Sequence, residues 1–188
     1  ESGSRGYERL RLGVLRRLQE EPRLIAVACV TAALQPALPP QRLAAATLTL
    51  QPGQEYPPEQ LLRFLVQAGY QRAEQVEGVG QFALRGGILD VFSPLMEQPV
   101  RCEFFDDEID SMGTFDPGTQ RRTANVETAL LLPAAEVLPR SAEGGLAGLG
   151  EKLEQLAGKL SKKQKTEQTV ARLQEDAERL KNGAVPGG

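Results

Sequence analysis

Residues 80–122 place the tightest constraint on the fold, because they alternate short apolar segments with strong turn signals. Phe82 and Leu84 alternate with polar or small residues, which is the period-two pattern of a half-buried β-strand. The Gly86-Gly87 pair tolerates positive φ and suits a bulge or kink. Turns are predicted at Asp106-Asp107 and at Asp116-Pro117-Gly118, where the glycine suits the left-handed position. The stretch therefore predicts an antiparallel meander with one buried face.

The second face of this predicted sheet carries arginines. Alternation places Arg85 on the face opposite Phe82 and Leu84, and we expect Arg72 to lie nearby. On a later strand the residues turned outward are Arg101, Glu103 and Phe105. Arginine and aromatic side chains on an open sheet face are typical of protein-recognition surfaces. The residues leave open the alternative that Arg85 pairs internally with Asp90 or Glu103.

Composition excludes several classes of chemistry. The chain has no histidine, which rules out Ser-His-Asp and Cys-His catalysis and metal sites that need histidine. No GxxxxGK[ST] loop is present, so no nucleotide site, cofactor or enzymatic activity is predicted. The acidic run at 106–110 lacks calcium-loop spacing and is interpreted as a solvated turn. The net charge of −3 gives no general attraction to nucleic acid.

The N-terminal residues 1–46 have the pattern of a partial α/β segment. Residues 8–19 predict a helix whose apolar stripe contains Leu10, Val14, Leu15 and Leu18. The continuous apolar run at 24–30 predicts a strand buried on both faces of a parallel sheet, followed by a short turn capped by Thr31. Cys29 and Cys102 both lie in apolar runs and are predicted to be buried, reduced thiols.

The rest of the chain divides into a small domain and a helical end. Residues 47–136 are predicted as an α+β domain, with a helix at 59–68 that ends at Gly69. Residues 137–188 are predicted as a linker and C-terminal helices, either an antiparallel hairpin or one long helix. The overall class is α/β (α+β). No apolar run is long enough to span a membrane and no signal-peptide pattern is present, so a cytoplasmic protein is expected.

Two motifs carry a family resemblance. GYxRxxxVExxGQFAxRGGILDxF and PVRxEFFDDEIDSxxxFDPxTQR together resemble the UvrB-like module of bacterial transcription-repair coupling factor (Mfd), and more distantly the damage-recognition helicase UvrB. The resemblance covers about residues 47–136. Residues 8–46 resemble the tail of the degenerate RecA-like domain of the same module.

The resemblance implies a protein-interaction module that docks on UvrA, the recruitment subunit of nucleotide excision repair. The UvrA-contacting arginines of the family fall on Arg72 and Arg85, thirteen positions apart, and Leu89 falls where a hydrophobic neighbour is expected. RNA polymerase and DNA would be contacted only through other parts of the parent protein. A DNA-binding fragment of a UvrB-like helicase is the alternative, although residues 93–98 lack the aromatic-rich hairpin that it requires. An ATPase fragment is a third, weaker alternative.

Overall fold

The computed structural model describes residues 2–161 and 167–184, in two compact units, Glu1–Val137 and Leu138–Gly188. The fold is α+β with open, mainly antiparallel sheets, as predicted. The helices of the first unit are α1 (Ser2–Glu20), α2 (Val30–Ala33), α3 (Pro40–Ala45) and α4 (Pro58–Gln67). Its strands are β1 (Leu48–Leu50), β2 (Gln71–Arg72), β3 (Gln81–Arg85), β4 (Ile88–Val91), β5 (Val100–Phe105), β6 (Glu108–Phe115), β7 (Arg122–Asn125) and β8 (Ala129–Leu131).

Strands β2 to β7 form one sheet in sequence order. Strands β3 to β7 pair antiparallel with their neighbours, which confirms the predicted meander. The short edge strand β2 pairs parallel with β3. Separately, β1 and β8 pair antiparallel, so the chain enters and leaves this part of the fold at the same place.

Tight turns set the register of the meander. Gly86 has a φ of 58° and Asp106 a φ of 52°, the left-handed conformation that two-residue hairpin turns require. The third turn differs from the prediction, because Gln120 (φ 61°) takes the left-handed conformation in place of Gly118. The Asp116 carboxylate accepts a hydrogen bond from the Thr119 backbone N–H (2.6 Å). This bond spans Gly118, so the turn continues to Gln120 before the chain reverses.

Both faces of the sheet are partly covered, so the prediction of a single buried face was wrong. The main core face contains Phe82, Leu89, Val91, Val100, Cys102 and Met112. On the other face, Val76 from the β2–β3 loop packs with Ala83, Phe92 and Phe115 in a second apolar cluster. The reason is that this loop folds back over the sheet, which the alternation within a strand does not reveal.

The predicted buried strand at residues 24–30 does not form. Residues 24–29 have no regular structure, Val30 begins helix α2, and the Val27 side chain is 95% exposed. Among the described residues, neither sheet includes a strand beside this run, so its backbone has no strand partner. The Cys29 thiol is consequently exposed, against the prediction, whereas Cys102 is buried as predicted. Thr31 does not cap the short α2 helix, because the N-cap position belongs to Cys29.

Helix α1 docks through a different face from the one predicted. Leu10, Val14 and Leu18 are exposed, whereas Leu12 is fully buried. A Cβ atom at Gly13 would overlap the Leu95 side chain, so this glycine allows close packing. Polar contacts hold the same helix: an Arg9 terminal guanidinium nitrogen donates to the Val79 carbonyl (2.8 Å), and Arg11 pairs with Glu136 (3.2 Å).

The second unit contains a short 3-10 helix (Pro139–Ser141), α5 (Gly145–Ser161) and α6 (Glu167–Lys181). Gly150, near the start of α5, lies against Ala177 and Lys181, near the end of α6, so the helices run antiparallel. Lys181 also forms an ion pair with Glu154 on α5 (2.7 Å). This excludes the single long helix. Residues 162–166, between the two helices, and residues 185–188, at the end of the predicted helical segment, lie outside the described residues. Within the described ranges, none of the helices combines the length and apolar character that crossing a membrane requires.

Candidate functional site

A buried carboxylate organises the arginine-bearing face of the sheet. Asp90 on β4 is 1% exposed and lies directly opposite Arg101 on β5. Arg101 donates to both carboxylate oxygens, from Nε to Oδ1 (2.7 Å) and from a terminal nitrogen to Oδ2 (2.8 Å). Arg85 on β3 donates from one terminal nitrogen to Oδ2 (3.0 Å). One carboxylate therefore holds two guanidinium groups.

Arg101 is committed to this internal network. Besides its bonds to Asp90, it donates to the backbone and side-chain oxygens of Gln120 (both 3.3 Å). Its guanidinium carbon lies 4.5 Å from the centroid of the Phe115 ring, a cation–π distance. The hydrogen bond to Asp90 raises the pKa of Arg101 above its ordinary value, so the group stays charged. Arg101 is thus a structural residue of the sheet.

The Arg85 guanidinium uses only part of its hydrogen-bonding capacity within the fold. Its side chain is 51% exposed, although it ends on a carboxylate that is almost fully buried. Its Nε and its other terminal nitrogen have no hydrogen-bond partner within residues 2–161 and 167–184. The two readings left open by the sequence, internal pairing with Asp90 and exposure, are therefore both realised. The pairing fixes one side of the guanidinium and leaves the other side facing solvent.

The register places a mixed row of side chains beside Arg85. Ile88 lies directly opposite Arg85 across the Gly86-Gly87 turn, and Glu103 lies directly opposite Ile88. Ser111 (2.8 Å) and Arg122 (3.3 Å) both donate hydrogen bonds to the Glu103 carboxylate. Phe105 follows two positions along the strand from Glu103. We call Arg85, Ile88, Glu103 and Phe105 the outer patch.

Arg72 does not lie on the outer patch. On β2 it is in register with Phe82, and directly registered residues project to the same face of a sheet. Arg72 therefore shares the face of Phe82, at the sheet edge, and Gln71 is the β2 residue that shares the face of Arg85. Arg72 is exposed and has no hydrogen-bond or ion-pair partner among the described residues. A partner that reached both arginines would have to wrap around the β2 edge.

Leu89 lies in the core and does not neighbour Arg85 at the surface. It is in register with Leu84 and Cys102, on the main core face, and is 1% exposed. The apolar neighbour of Arg85 is instead Ile88, which is 38% exposed. The sequence contained a signal that Ile88 is the neighbour of Arg85, because the residues on either side of a two-residue turn pair directly.

The β2–β3 loop adds a shallow cleft at the edge of the outer patch. Its lining combines one arginine with polar and acidic residues, namely Ala73, Glu74, Gln75, Glu77, Gln81 and Arg85. Across the part of the chain that the structure describes, no three His, Cys, Asp or Glu side chains converge to hold a metal ion. The surface is suited to binding a partner through charged hydrogen bonds and apolar contact.

Comparison with known proteins identifies the module. The family model of the UvrB interaction domain matches residues 48–137, the segment that begins at β1 and extends just past β8. The transcription-repair-coupling factor of Myxococcus xanthus is 43% identical over 129 residues, which cover 68% of this chain and 11% of that protein. The factor of Bacillus subtilis is 36% identical over 178 residues, covering 92% of this chain and 15% of that protein.

The chain thus spans about a tenth to a seventh of the length of these relatives. The match extends over the sheet, the Arg85 turn and the acidic hairpin. Residues 48–137 of this chain are therefore a UvrB-like interaction module of the transcription-repair-coupling factor family.

Proposed function

We propose that this chain is a non-enzymatic interaction module that binds UvrA in transcription-coupled nucleotide excision repair. The observation that carries the proposal is the Arg85 guanidinium, anchored on one side by a buried carboxylate and open to solvent on the other. The UvrB interaction domain model and the coupling-factor relatives support the choice of partner.

The open donors of Arg85 favour a partner that supplies a carboxylate. Asp90 is shared between the guanidinium groups of Arg85 and Arg101, and Arg101 is mostly buried and hydrogen-bonded. Glu74 and Glu77 line the cleft beside Arg85, so the preference rests on its open hydrogen-bond donors and not on a net positive charge. Because Asp90 already restrains the Arg85 side chain, less conformational entropy is lost when a partner carboxylate pairs with it. Paired guanidinium and carboxylate groups form strong, directional contacts.

Arg72 supplies a second, separate contact. It is exposed on the two-residue edge strand β2 and has no partner among the described residues. Since it faces the opposite side of the sheet from Arg85, we assign it to a part of UvrA that reaches around the sheet edge. Its loss should weaken binding less than the loss of Arg85, because none of the described residues hydrogen-bonds or ion-pairs with its side chain to restrain it.

Titration calorimetry of the 188-residue chain with UvrA tests the proposal. Arg85→Ala should weaken binding by about 30-fold, a typical cost of losing an interface hot spot of about 2 kcal/mol. Arg72→Ala should weaken it by a few-fold. Arg63→Ala is the matched control, because Arg63 is an exposed arginine on helix α4 and not on the sheet that carries Arg72 and Arg85, and it should bind as the wild type does.

Wild-type affinity in both the Arg85 and Arg72 variants would contradict the proposal, provided that their melting temperatures match the wild type. A labelled DNA duplex tests the alternative function. Salt-dependent DNA binding by the chain without UvrA binding would favour the DNA-binding fragment instead.

A further inference from the structure

Two apolar side chains are exposed on the arginine face of the sheet. Phe105 is 75% exposed at the end of β5, and Ile88 is 38% exposed at the start of β4. Most other large apolar side chains of the meander are buried on one of its two faces. An aromatic and a branched aliphatic residue left open together on a structured sheet need a physical explanation, because apolar surface in water is unfavourable.

The register brings these two side chains together. Ile88 lies opposite Glu103, and Phe105 is two residues further along the same strand, about 7 Å on. The pairing of β5 with β6 shifts by one residue between Glu103 and Phe104, and beyond the shift Phe104 pairs with the buried Ile109. Phe105 is the exposed residue that follows, two positions beyond Glu103. The Phe104 backbone N–H donates to the Gly87 carbonyl (2.7 Å), which places the Gly86-Gly87 turn alongside the end of β5.

The glycine turn keeps this apolar pair uncovered. A Cβ atom at Gly86 would meet no atom within 4 Å, so the turn borders open space. A Cβ atom at Gly87 would lie 3.0 Å from the Phe104 carbonyl oxygen, so the close approach of the turn to β5 requires a residue without a side chain. The turn that positions Arg85 thus also leaves Ile88 and Phe105 accessible.

Charges of opposite sign lie at the two ends of the apolar pair. Arg85 lies on one side, with donors open to solvent, and the hairpin residues Asp106, Asp107 and Glu108 lie at the other end. We propose that Ile88 and Phe105 form an apolar anchor for UvrA, whose matching surface presents an apolar side chain next to a carboxylate that pairs with Arg85. This inference rests on the proposed function, and it assigns to the interface two residues outside the arginine pair.

An apolar contact and an ion pair side by side explain the exposed Ile88 and Phe105 and the open Arg85 together, which neither contact does alone. The ion pair between a UvrA carboxylate and the Arg85 guanidinium is stronger when water is excluded from around it. An apolar contact over the neighbouring Ile88 excludes that water. Aromatic residues with an adjacent arginine are also the combination that dominates binding energy in protein interfaces.

Calorimetry with UvrA separates this inference from the proposed function. Phe105→Ser and Ile88→Thr should each weaken binding at least tenfold, and Phe105→Leu should retain most of the affinity because it keeps apolar volume. Val27→Thr is the control, since it replaces an even more exposed apolar side chain that lies outside the sheet. It should leave the affinity unchanged. Because all three positions are exposed, melting temperatures should stay near that of the wild type.

The outcomes are distinguishable. If Arg85→Ala weakens binding but Phe105→Ser and Ile88→Thr do not, the anchor is overturned and the UvrA function stands. If the wild-type chain does not bind UvrA, both are overturned. If Phe105→Ser abolishes self-association of the chain and leaves UvrA affinity intact, the apolar pair belongs to a contact between copies, and the anchor is again overturned.

Discussion

Asp90 and Arg101 lie directly opposite each other on neighbouring strands and join through two hydrogen bonds of 2.7 and 2.8 Å. This pair lies between the arginine that faces solvent and the second apolar cluster. Asp90 restrains Arg85, and Arg101 stacks over Phe115. The candidate binding surface and the stability of the sheet therefore depend on the same carboxylate.

Asp90→Ala should lower the free energy of unfolding by about 3 kcal/mol, because it leaves Arg101 mostly buried without its counter-ion. Urea denaturation followed by tyrosine fluorescence measures this change. Asp110→Ala provides the control, since Asp110 is exposed on β6, and its effect should stay within about 0.5 kcal/mol. Equal effects of the two substitutions would show that the buried pair contributes no special stability.

Leu89→Ala should destabilise the chain by about 2–5 kcal/mol, the usual cost of a cavity at a fully buried leucine. Ile88→Ala, one position earlier and partly exposed, should cost clearly less. The same urea denaturation compares the two variants. A cost below about 1 kcal/mol at Leu89 would contradict its position in the core.

Gly113→Ala should destabilise the sheet by about 1–3 kcal/mol, the range for overpacking. A Cβ atom there would overlap the Arg122 side chain and lie 2.7 Å from the Ala124 carbonyl oxygen. Gly6→Ala is the opposite case, because its Cβ would meet no atom and alanine favours a helix. Thermal denaturation should show a lower melting temperature for the first variant and an equal or higher one for the second.

The two cysteines should differ strongly in reactivity. The contact with Thr31 (Sγ to Oγ1, 3.2 Å) lowers the pKa of the exposed Cys29 thiol, whereas burial raises the pKa of Cys102 to about 12. Iodoacetamide at about pH 8, with mass spectrometry, should label Cys29 first and Cys102 only after unfolding. Thr31→Val should slow labelling of Cys29, because losing the contact raises its pKa and lowers the thiolate fraction. Labelling of both thiols at one rate in the folded chain would disprove this assignment.

Glu136 should make stability depend on pH. Burial raises the pKa of Glu136 above its ordinary value of 4.5, against the opposing effect of Arg11. A raised pKa in the folded state means that its contribution is fully present below the unfolded pKa and is lost as pH rises through the folded value. Relative to Glu136→Gln, the wild type should therefore become less stable as pH rises from below 4.5 through the raised pKa of Glu136 in the folded state.

Urea denaturation at several pH values measures this difference. Glu97→Gln, at an exposed position in the β4–β5 loop, is the control. A wild type that gains stability relative to Glu136→Gln over the same pH range would contradict the direction of the shift.

The sequence by itself determined the strands of the meander, the places where most of its turns lie, and the family motif of this protein. Alternation and tight-turn residues are local properties, so the meander and the pairing across Gly86-Gly87 follow from neighbouring residues. The C-terminal helices followed from their apolar spacing, although the choice of a hairpin needed the contact between Glu154 and Lys181.

Only the tertiary structure decided which residues reach the surface. Residues 24–30 have the composition of a buried strand, yet a strand requires hydrogen-bonding neighbours that the described chain does not place there. Leu89 and Arg72 differ from expectation because their faces depend on strand register, and the second apolar cluster forms because the β2–β3 loop folds over the sheet. Periodicity determines which side chains share a face, whereas contacts between distant segments determine which face is covered.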